Sequence, residues 1–287
     1  MRYLREALHA QWRRYRKRLK SCQKNFSTKA VHKSRVATRR LKAILDLVRA
    51  YDSRDEMGVK SVQRALKQHL DSFDRLRDTQ MQLAYVTRLA GSFPAAEPLG
   101  DWLKAREEKF TKQTCKAIRH IKTKRVSRSV AVGEKLLRRE QKSLSPDRGL
   151  AIVRRKLQQT FTRVCKYAAA ARAEDTATIH RTRVAFKRFR YMVEALISSW
   201  PGITKEFCQE LRGHQTLMGD IQDMEVLLAA LDKFIQKTHN GHTETFRKEL
   251  VRRRGRLIRN YFRAADGLNR FWPLPETAGA KQKESEE

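Results

Sequence analysis

Glycine and proline are scarce in this chain, since its 287 residues include 12 glycines and 6 prolines. Both residue types interrupt regular structure, and here they cluster at a few breaks, such as 91–100 and 200–202. Between the breaks the sequence is rich in Ala, Leu, Arg, Lys, Glu and Gln, with apolar residues at helical spacing. The sequence therefore predicts an all-α protein.

Features that mark several other classes of protein are also missing. No run of about 18 apolar residues occurs, so we expect no membrane-spanning helix and no membrane partner. The first residues are charged where a signal peptide needs an apolar core, which predicts a cytoplasmic protein. The four cysteines are far apart and form no Cys-x-x-Cys pair, so we expect reduced thiols and no metal site. Glycine-rich phosphate loops and the strained-elbow serine motif are absent too, and we expect no cofactor.

Acidic residues are also few relative to basic residues. The chain has 31 Asp and Glu against 64 Lys and Arg, which gives a formal net charge of +33. Because 40% of the residues are hydrophobic, a folded core is expected despite that charge. A compact body so charged repels itself, and binding a polyanion relieves the repulsion. Nucleic acid, an anionic membrane and a phosphate polymer all fit this composition.

The chain contains an internal repeat with a period near 147 residues. The segment His32-Lys-Ser-Arg-Val-Ala-Thr-Arg-Arg-Leu-Lys42 returns as His180-Arg-Thr-Arg-Val-Ala-Phe-Lys-Arg-Phe-Arg190. Three further segments match in the same order, so each half is predicted to contain four helices. We expect a first half at 1–121, a basic linker at 122–145, a second half at 146–270 and a disordered tail at 271–287.

Basic residues recur on one face of the repeated helices. On an ideal helix His32, Arg35, Arg39 and Lys42 project within an arc of about 80°, opposite an apolar face. No acidic residue occurs at 30–45 or 176–193, although a merely solvated face would mix both signs. Neighbouring cations about 5–6 Å apart suit a chain of phosphates. The candidate binding residues are His32, Arg35, Arg39, Arg40, Lys42, His180, Arg183, Lys187, Arg188 and Arg190, with Arg14, Lys17, Arg163 and Lys166 on the first helices and Arg106, Lys109, Lys116, Arg253, Arg256 and Arg263 on the fourth.

Two aspartates and two histidines recur on the third helix of each half. We interpret Asp78 and Asp223 as carboxylates that each orient an arginine of a neighbouring basic helix. His69 and His214 lie in nearly neutral helices, so we interpret them as core residues.

The doubled His-x-x-Arg-Val-Ala motif and the segment Leu211 to Leu227 resemble the CHAD family, the conserved-histidine α-helical domain. The resemblance covers about residues 1–270. It implies two four-helix bundles related by pseudo-twofold symmetry, with a basic groove or channel between them that binds inorganic polyphosphate. Members of the family are often fused to a triphosphate tunnel enzyme domain, which this chain lacks, so the resemblance implies no catalysis. The helix around Asp78 is the weaker match, because it lacks the glycine found at Gly219.

The leading hypothesis is a non-enzymatic protein that binds inorganic polyphosphate, or sulfate or phosphate ions at the same site, with a role in targeting or regulation at polyphosphate granules. The alternative is a protein that binds the backbone of RNA or DNA. We call the basic faces of the repeated helices the cationic strips. The strips carry no aromatic residues on which bases could stack, which disfavours the alternative. A polyphosphate kinase or phosphatase would need a group of carboxylates to hold metal ions, and none lies near the strips in sequence.

Overall fold

The computed structural model describes residues 2–198, 200, 202–238 and 243–275. Within these residues the chain forms nine α-helices and no β-strand, which confirms the all-α prediction. None of the helices in the described part is long and apolar enough to cross a membrane. The helices are α1 (Arg2–Lys24), α2 (Thr28–Val48), α3 (Val59–Ala90), α4 (Glu97–Arg119), α5 (Lys124–Ser143), α6 (Pro146–Ala169), α7 (Thr176–Leu196), α8 (Lys205–Thr238) and α9 (Glu244–Ala264).

Polar side chains cap the two basic helices at equivalent positions. The Ser27 hydroxyl accepts a hydrogen bond from the Ala30 amide, 3.2 Å away, at the start of α2. The Asp175 carboxylate accepts one from the Ala177 amide, 3.0 Å away, at the start of α7. Each cap satisfies an amide that has no partner within the helix. Because both caps precede the repeated histidine by five residues, the two cationic strips begin at the same height on their helices.

The order of helix contacts is the same in the two halves. In the first half α1 packs on α2, α2 on α3 and α3 on α4, and in the second α6 packs on α7, α7 on α8 and α8 on α9. The halves meet where α2 contacts α7 and where α3 contacts α8. The helices that carry the strips are therefore central in the molecule.

Two ion pairs join α2 to α7 reciprocally. An Arg40 nitrogen lies 3.0 Å from Glu194, and an Arg188 nitrogen lies 2.9 Å from Asp46. Arg40 and Arg188 are equivalent in the repeat, as are Asp46 and Glu194. Since the middle of each helix pairs with the end of the other, α2 and α7 run antiparallel.

Buried apolar residues form two clusters, each drawn from both halves. The larger includes Leu41 of α2 and Phe189 of α7, both fully buried. The smaller lies at the far ends of α3 and α8 and includes Leu103 of α4 and Phe246 of α9. The two halves therefore share their cores.

The segment predicted to be a basic linker, 122–145, is mostly helix α5. It packs against α1, α2 and α3, and it buries Val130 and Leu137 in the larger cluster. The Ser129 hydroxyl also donates a hydrogen bond to the Met57 carbonyl at 2.8 Å. The segment has an apolar face at helical spacing, and its many cations obscure that face in the sequence.

The segment predicted to be a disordered tail, 271–287, is described only as far as residue 275, and residues 276–287 lie outside the described part. In the described part Phe271 is fully buried and Leu274 is 7% exposed. The Phe271 ring makes edge contacts with Phe186, Phe207 and His214. The prediction was therefore wrong for these residues, because an aromatic pocket of the second half holds them.

Candidate functional site

A cleft of about 890 Å³ opens where α2, α3, α7 and α8 meet. It brings together most of the two strips predicted from the repeat. The charged lining comprises Arg35, Arg39, Arg40, Arg77, Arg183, Lys187, Arg190 and Arg212, the histidines His32 and His180, and the acids Asp74, Asp78, Glu194, Asp220 and Asp223. Eight Lys and Arg side chains thus face five carboxyl groups in the cleft.

Arg35 is fixed in place by the third helix of its own half. Its guanidinium donates hydrogen bonds to the Asp74 carboxylate at 2.7 Å and to the Leu70 carbonyl at 3.1 Å. The Arg35 side chain is only 8% exposed. Two of its bonds go to protein atoms on α3, so the direction of the remaining donors is set before any ligand arrives.

Arg183, its counterpart in the second half, is held differently. Its Nε is buried and has no hydrogen-bond partner within the described residues. The guanidinium passes over Gly219 of α8, where a β-carbon would lie 3.8 Å from Nε. A buried nitrogen without an acceptor is costly, so a ligand oxygen at this point would be strongly favoured.

Lys187 lies deep in the cleft among other cations. Burial, followed by the neighbouring cations Arg39, Arg183, Arg35 and Arg190, lowers its pKa to about 6. Burial also lowers the pKa of His32, assisted by Arg77, Arg39 and Arg35. The cleft without ligand therefore holds Lys187 and His32 largely neutral at pH 7, and a bound anion would favour their charged forms.

Glu194 is the buried carboxylate at one end of the cleft. It accepts hydrogen bonds from Arg190, from Arg212 at 2.8 Å and from Arg40 at 3.0 Å, and its side chain is 2% exposed. Burial alone would raise the pKa of Glu194, but the neighbouring arginines, Arg190 first, lower it. One carboxylate thereby holds three guanidinium groups in fixed positions.

Asp78 and Asp223 line the cleft beside each other. Burial raises the pKa of Asp78, as do Asp74 and Asp223, while Arg35 and Arg77 oppose the increase. Burial also raises the pKa of Asp223, and Arg183 opposes it most. The carboxylate that bonds Arg35 is Asp74, one turn before Asp78.

The sequence matches the profile of the CHAD domain over residues 2–232. The chain belongs to the CHAD domain family. A crystal structure of the CHAD domain from the plant Ricinus communis is similar to it, with a TM-score of 0.66, 18% sequence identity, and 96% of this chain and 93% of that chain covered. No curated protein sequence matches the chain significantly.

Several candidate residues lie outside the cleft of this CHAD chain. Arg188 pairs with Asp46 on the α2–α7 contact. Lys42 lies near Asp46 and Arg188 as well, and burial lowers its pKa. The first-helix candidates Arg14, Lys17, Arg163 and Lys166 are exposed. The strips are therefore brought together only along part of their length, because α2 and α7 cross.

The cations of α4 and α9, the fourth helices of the two repeats, do not line the cleft. Arg106 stacks over Trp102 at 4.4 Å and lines a second cavity of about 500 Å³. Arg253 lies 2.6 Å from Glu249 of its own helix. Lys109, Lys116, Arg256 and Arg263 are exposed residues of α4 and α9.

Sequence reasoning missed four polar residues that complete the cleft. Arg77 and Asp74 come from α3, and Arg212 and Gln215 from α8, two helices that are nearly neutral overall. The Gln215 carbonyl accepts a hydrogen bond from Arg190 at 2.7 Å. Glu194 was also missed, although Asp46 and Glu194 occupy equivalent positions and end the two acid-free stretches. That equivalence could have identified Glu194 from the sequence.

The acids of the cleft do not build a metal site. Within the described residues, no group of three or more His, Cys, Asp or Glu side chains is placed to hold a metal ion. Two of the five acids, Asp74 and Glu194, bond arginines instead.

Proposed function

We propose that this CHAD protein binds inorganic polyphosphate in the cleft without altering it chemically. The observation that carries the proposal is the convergence of two equivalent cationic strips, His32 to Arg40 and His180 to Arg190, on one cavity. A linear polyanion between them would contact guanidinium groups from both halves, where low-dielectric walls concentrate the positive potential. The proposal places the protein in the cytoplasm, at polyphosphate granules.

The fixed arginines support recognition of phosphate oxygens. Arg35, Arg40 and Arg190 are each held by a carboxylate, and Arg183 has a buried nitrogen that lacks an acceptor. Arginine presents its donors in a rigid planar fork that fits phosphate in a bidentate manner. Because the carboxylates already hold these side chains, a ligand would have little side-chain disorder to overcome.

The lining offers little to a nucleobase. Tyr191 is the one Phe, Tyr or Trp residue among the described residues that line the cleft, and it is 6% exposed. The Arg190 guanidinium also lies over the Tyr191 ring at 4.2 Å. Proteins that bind single strands stack bases on open aromatic faces, so the lining favours an inorganic chain over RNA or DNA.

A competition experiment tests the proposal. Labelled long-chain polyphosphate is bound to the protein and then challenged with single-stranded RNA or with unlabelled polyphosphate, at equal phosphate concentration and fixed salt. We expect unlabelled polyphosphate to displace the label at a concentration at least about tenfold below that of RNA. Equal or stronger displacement by RNA would contradict the proposal and favour the nucleic-acid alternative.

The same samples test whether the protein alters polyphosphate chemically. Polyphosphate incubated with the protein and Mg²⁺, with and without ADP, should keep its length distribution on a gel. Shortened chains or newly formed ATP would show that the protein is a hydrolase or a kinase.

A further inference from the structure

The cleft does not account for the charge of the molecule. Its lining contains eight Lys and Arg and five Asp and Glu, a formal excess of three, whereas the formal net charge of the chain is +33. Most of the excess therefore lies outside the cleft, and its distribution identifies another surface.

Helix α1 carries the densest group of cations. Residues 13–20 include six of them within two turns, and Tyr15 and Leu19 in the same stretch are buried in the core. No acidic residue occurs anywhere between Glu6 and Asp46. We call the six residues the α1 block: Arg13, Arg14, Arg16, Lys17, Arg18 and Lys20.

The α1 block is not neutralised by neighbours. Within the described residues, none of its six cations forms an ion pair, whereas surface cations elsewhere do so repeatedly. On α5, for example, Arg139 pairs with Glu56, and on α9 Arg252 pairs with Glu249. Like charges three or four residues apart repel one another on a helix, so the block lowers the stability of α1.

The block adjoins the cleft through one residue. Burial lowers the pKa of Arg14, and Arg40 is the charge that lowers it most, followed by Arg18. Arg40 itself lines the cleft beside Glu194. Helix α1 also packs against both α2 and α7, the two helices that carry the strips. The positive surface thus continues from the cleft onto α1 without an intervening acid of α1 or α2.

We propose that the α1 block is a second polyanion-contact surface, which binds the part of a long polyphosphate chain that leaves the cleft past Arg40 and Arg14. This inference rests on the proposed function, because it assumes that the cleft holds the first part of the same chain. Short chains then contact the cleft alone, and long chains contact both surfaces. The affinity of the protein depends on chain length for this structural reason.

The test uses two probes, tripolyphosphate and long-chain polyphosphate, and three variants of the full chain. The first variant removes three charges of the block, as Arg14→Gln, Lys17→Gln and Arg18→Gln. The control removes three exposed charges elsewhere, as Lys112→Gln, Lys237→Gln and Arg259→Gln. The third, Arg39→Gln with Arg183→Gln, removes two charges of the cleft. Glutamine is a good helix former, so the helices should be preserved.

We expect the α1 variant to keep its affinity for tripolyphosphate within about twofold and to lose about tenfold for the long chain, with a shallower salt dependence. The control should change both affinities by less than about twofold. Equal weakening of the long chain by the α1 variant and the control would overturn the proposal, because net charge would then explain the loss. Unchanged affinity of the α1 variant for the long chain would overturn it too.

The cleft variant distinguishes failure of the second surface from failure of the proposed function. If it abolishes binding of both probes while the α1 variant changes neither, the cleft function stands and the second surface is rejected. If the cleft variant changes neither probe, the proposed function itself fails. Thermal unfolding serves as the fold control, and the α1 variant should melt no lower than the wild type because repulsion within the block is reduced.

Discussion

Lys187 is the residue through which pH would act on ligand binding in the cleft. Arg35 and Arg39 of α2 and Arg183 and Arg190 of α7 surround it, and Asp223 of α8 is the opposing carboxylate. Its pKa, lowered to about 6 by burial and these cations, is the value for the free protein. A bound polyanion raises that pKa, so binding takes up a proton at any pH between the free and bound values.

We therefore predict that the affinity for polyphosphate rises as the pH falls from about 8 towards 6, by up to about tenfold per unit for one proton. Below about 6 Lys187 is already charged in the free protein and adds no further gain. Binding titrations at three pH values measure the slope. Lys187→Gln should flatten it while leaving the contribution of His32, whereas an unchanged slope would show that Lys187 does not titrate on binding.

Glu194 is the second residue with a sharp consequence. Replacing it with Gln leaves three arginines around a neutral group, and we expect a loss of about 3 kcal/mol in the free energy of unfolding. Because its folded pKa is lowered, the stabilisation is present above the ordinary Glu pKa and is lost as the pH falls through the folded value.

Urea titration measures the loss. Glu225→Gln is the matched control, since that carboxylate pairs with Arg254 at 3.2 Å and both side chains are about one third exposed. The control should cost less than about 1 kcal/mol. Equal losses in the two variants would show that Glu194 does not organise the arginines.

The repeated motif was sufficient to predict that α2 and α7 each carry cations on one face, because the repeat doubles the pattern at one spacing. His69 and His214 were also predicted correctly as core residues: His69 bonds Tyr15 at 2.8 Å, and His214 packs against Phe186. Which cations actually meet depends on how α2 crosses α7, and a helical wheel contains no such information. Lys42 is excluded from the cleft lining for that reason, whereas its counterpart Arg190 is included.

At the scale of elements, α5 is the helix that sequence reasoning described least well. Its cations suggested a linker, but an apolar face including Val126, Val130 and Leu137 is completely or almost completely buried. The helix fills a position beside α1 and α3 in the first half. It thereby stabilises the helix that carries the α1 block.

We predict that Leu137→Ala lowers the free energy of unfolding by about 2–4 kcal/mol, since the side chain is fully buried and its removal leaves a cavity. Lys135→Ala, an exposed change on the same helix, should cost less than about 0.5 kcal/mol. Chemical denaturation of both variants makes the comparison. Similar small losses would mean that α5 contributes little to the core.

At the scale of the whole molecule, the antiparallel α2–α7 contact creates the cleft. Two reciprocal ion pairs, Arg40 with Glu194 and Arg188 with Asp46, fix the angle between the halves. The repeat and the charge could be recognised in the sequence, and the resemblance of the repeated motif to the CHAD family implied a basic groove between related halves. The shared cores could not be predicted, because they depend on contacts between helices more than a hundred residues apart.

The central claim is that the cleft holds the polyphosphate. The most direct measurement is calorimetry of long-chain polyphosphate binding to two double variants at one salt concentration and pH. The first combines Arg39→Gln and Arg183→Gln, and the second combines Lys237→Gln and Arg259→Gln. Each pair removes two positive charges, and only the first pair lines the cleft. We predict at least about tenfold weaker binding for the first pair and a change below about twofold for the second, because charge-assisted bonds to phosphate are lost only in the cleft. Equal losses in the two pairs would contradict the account.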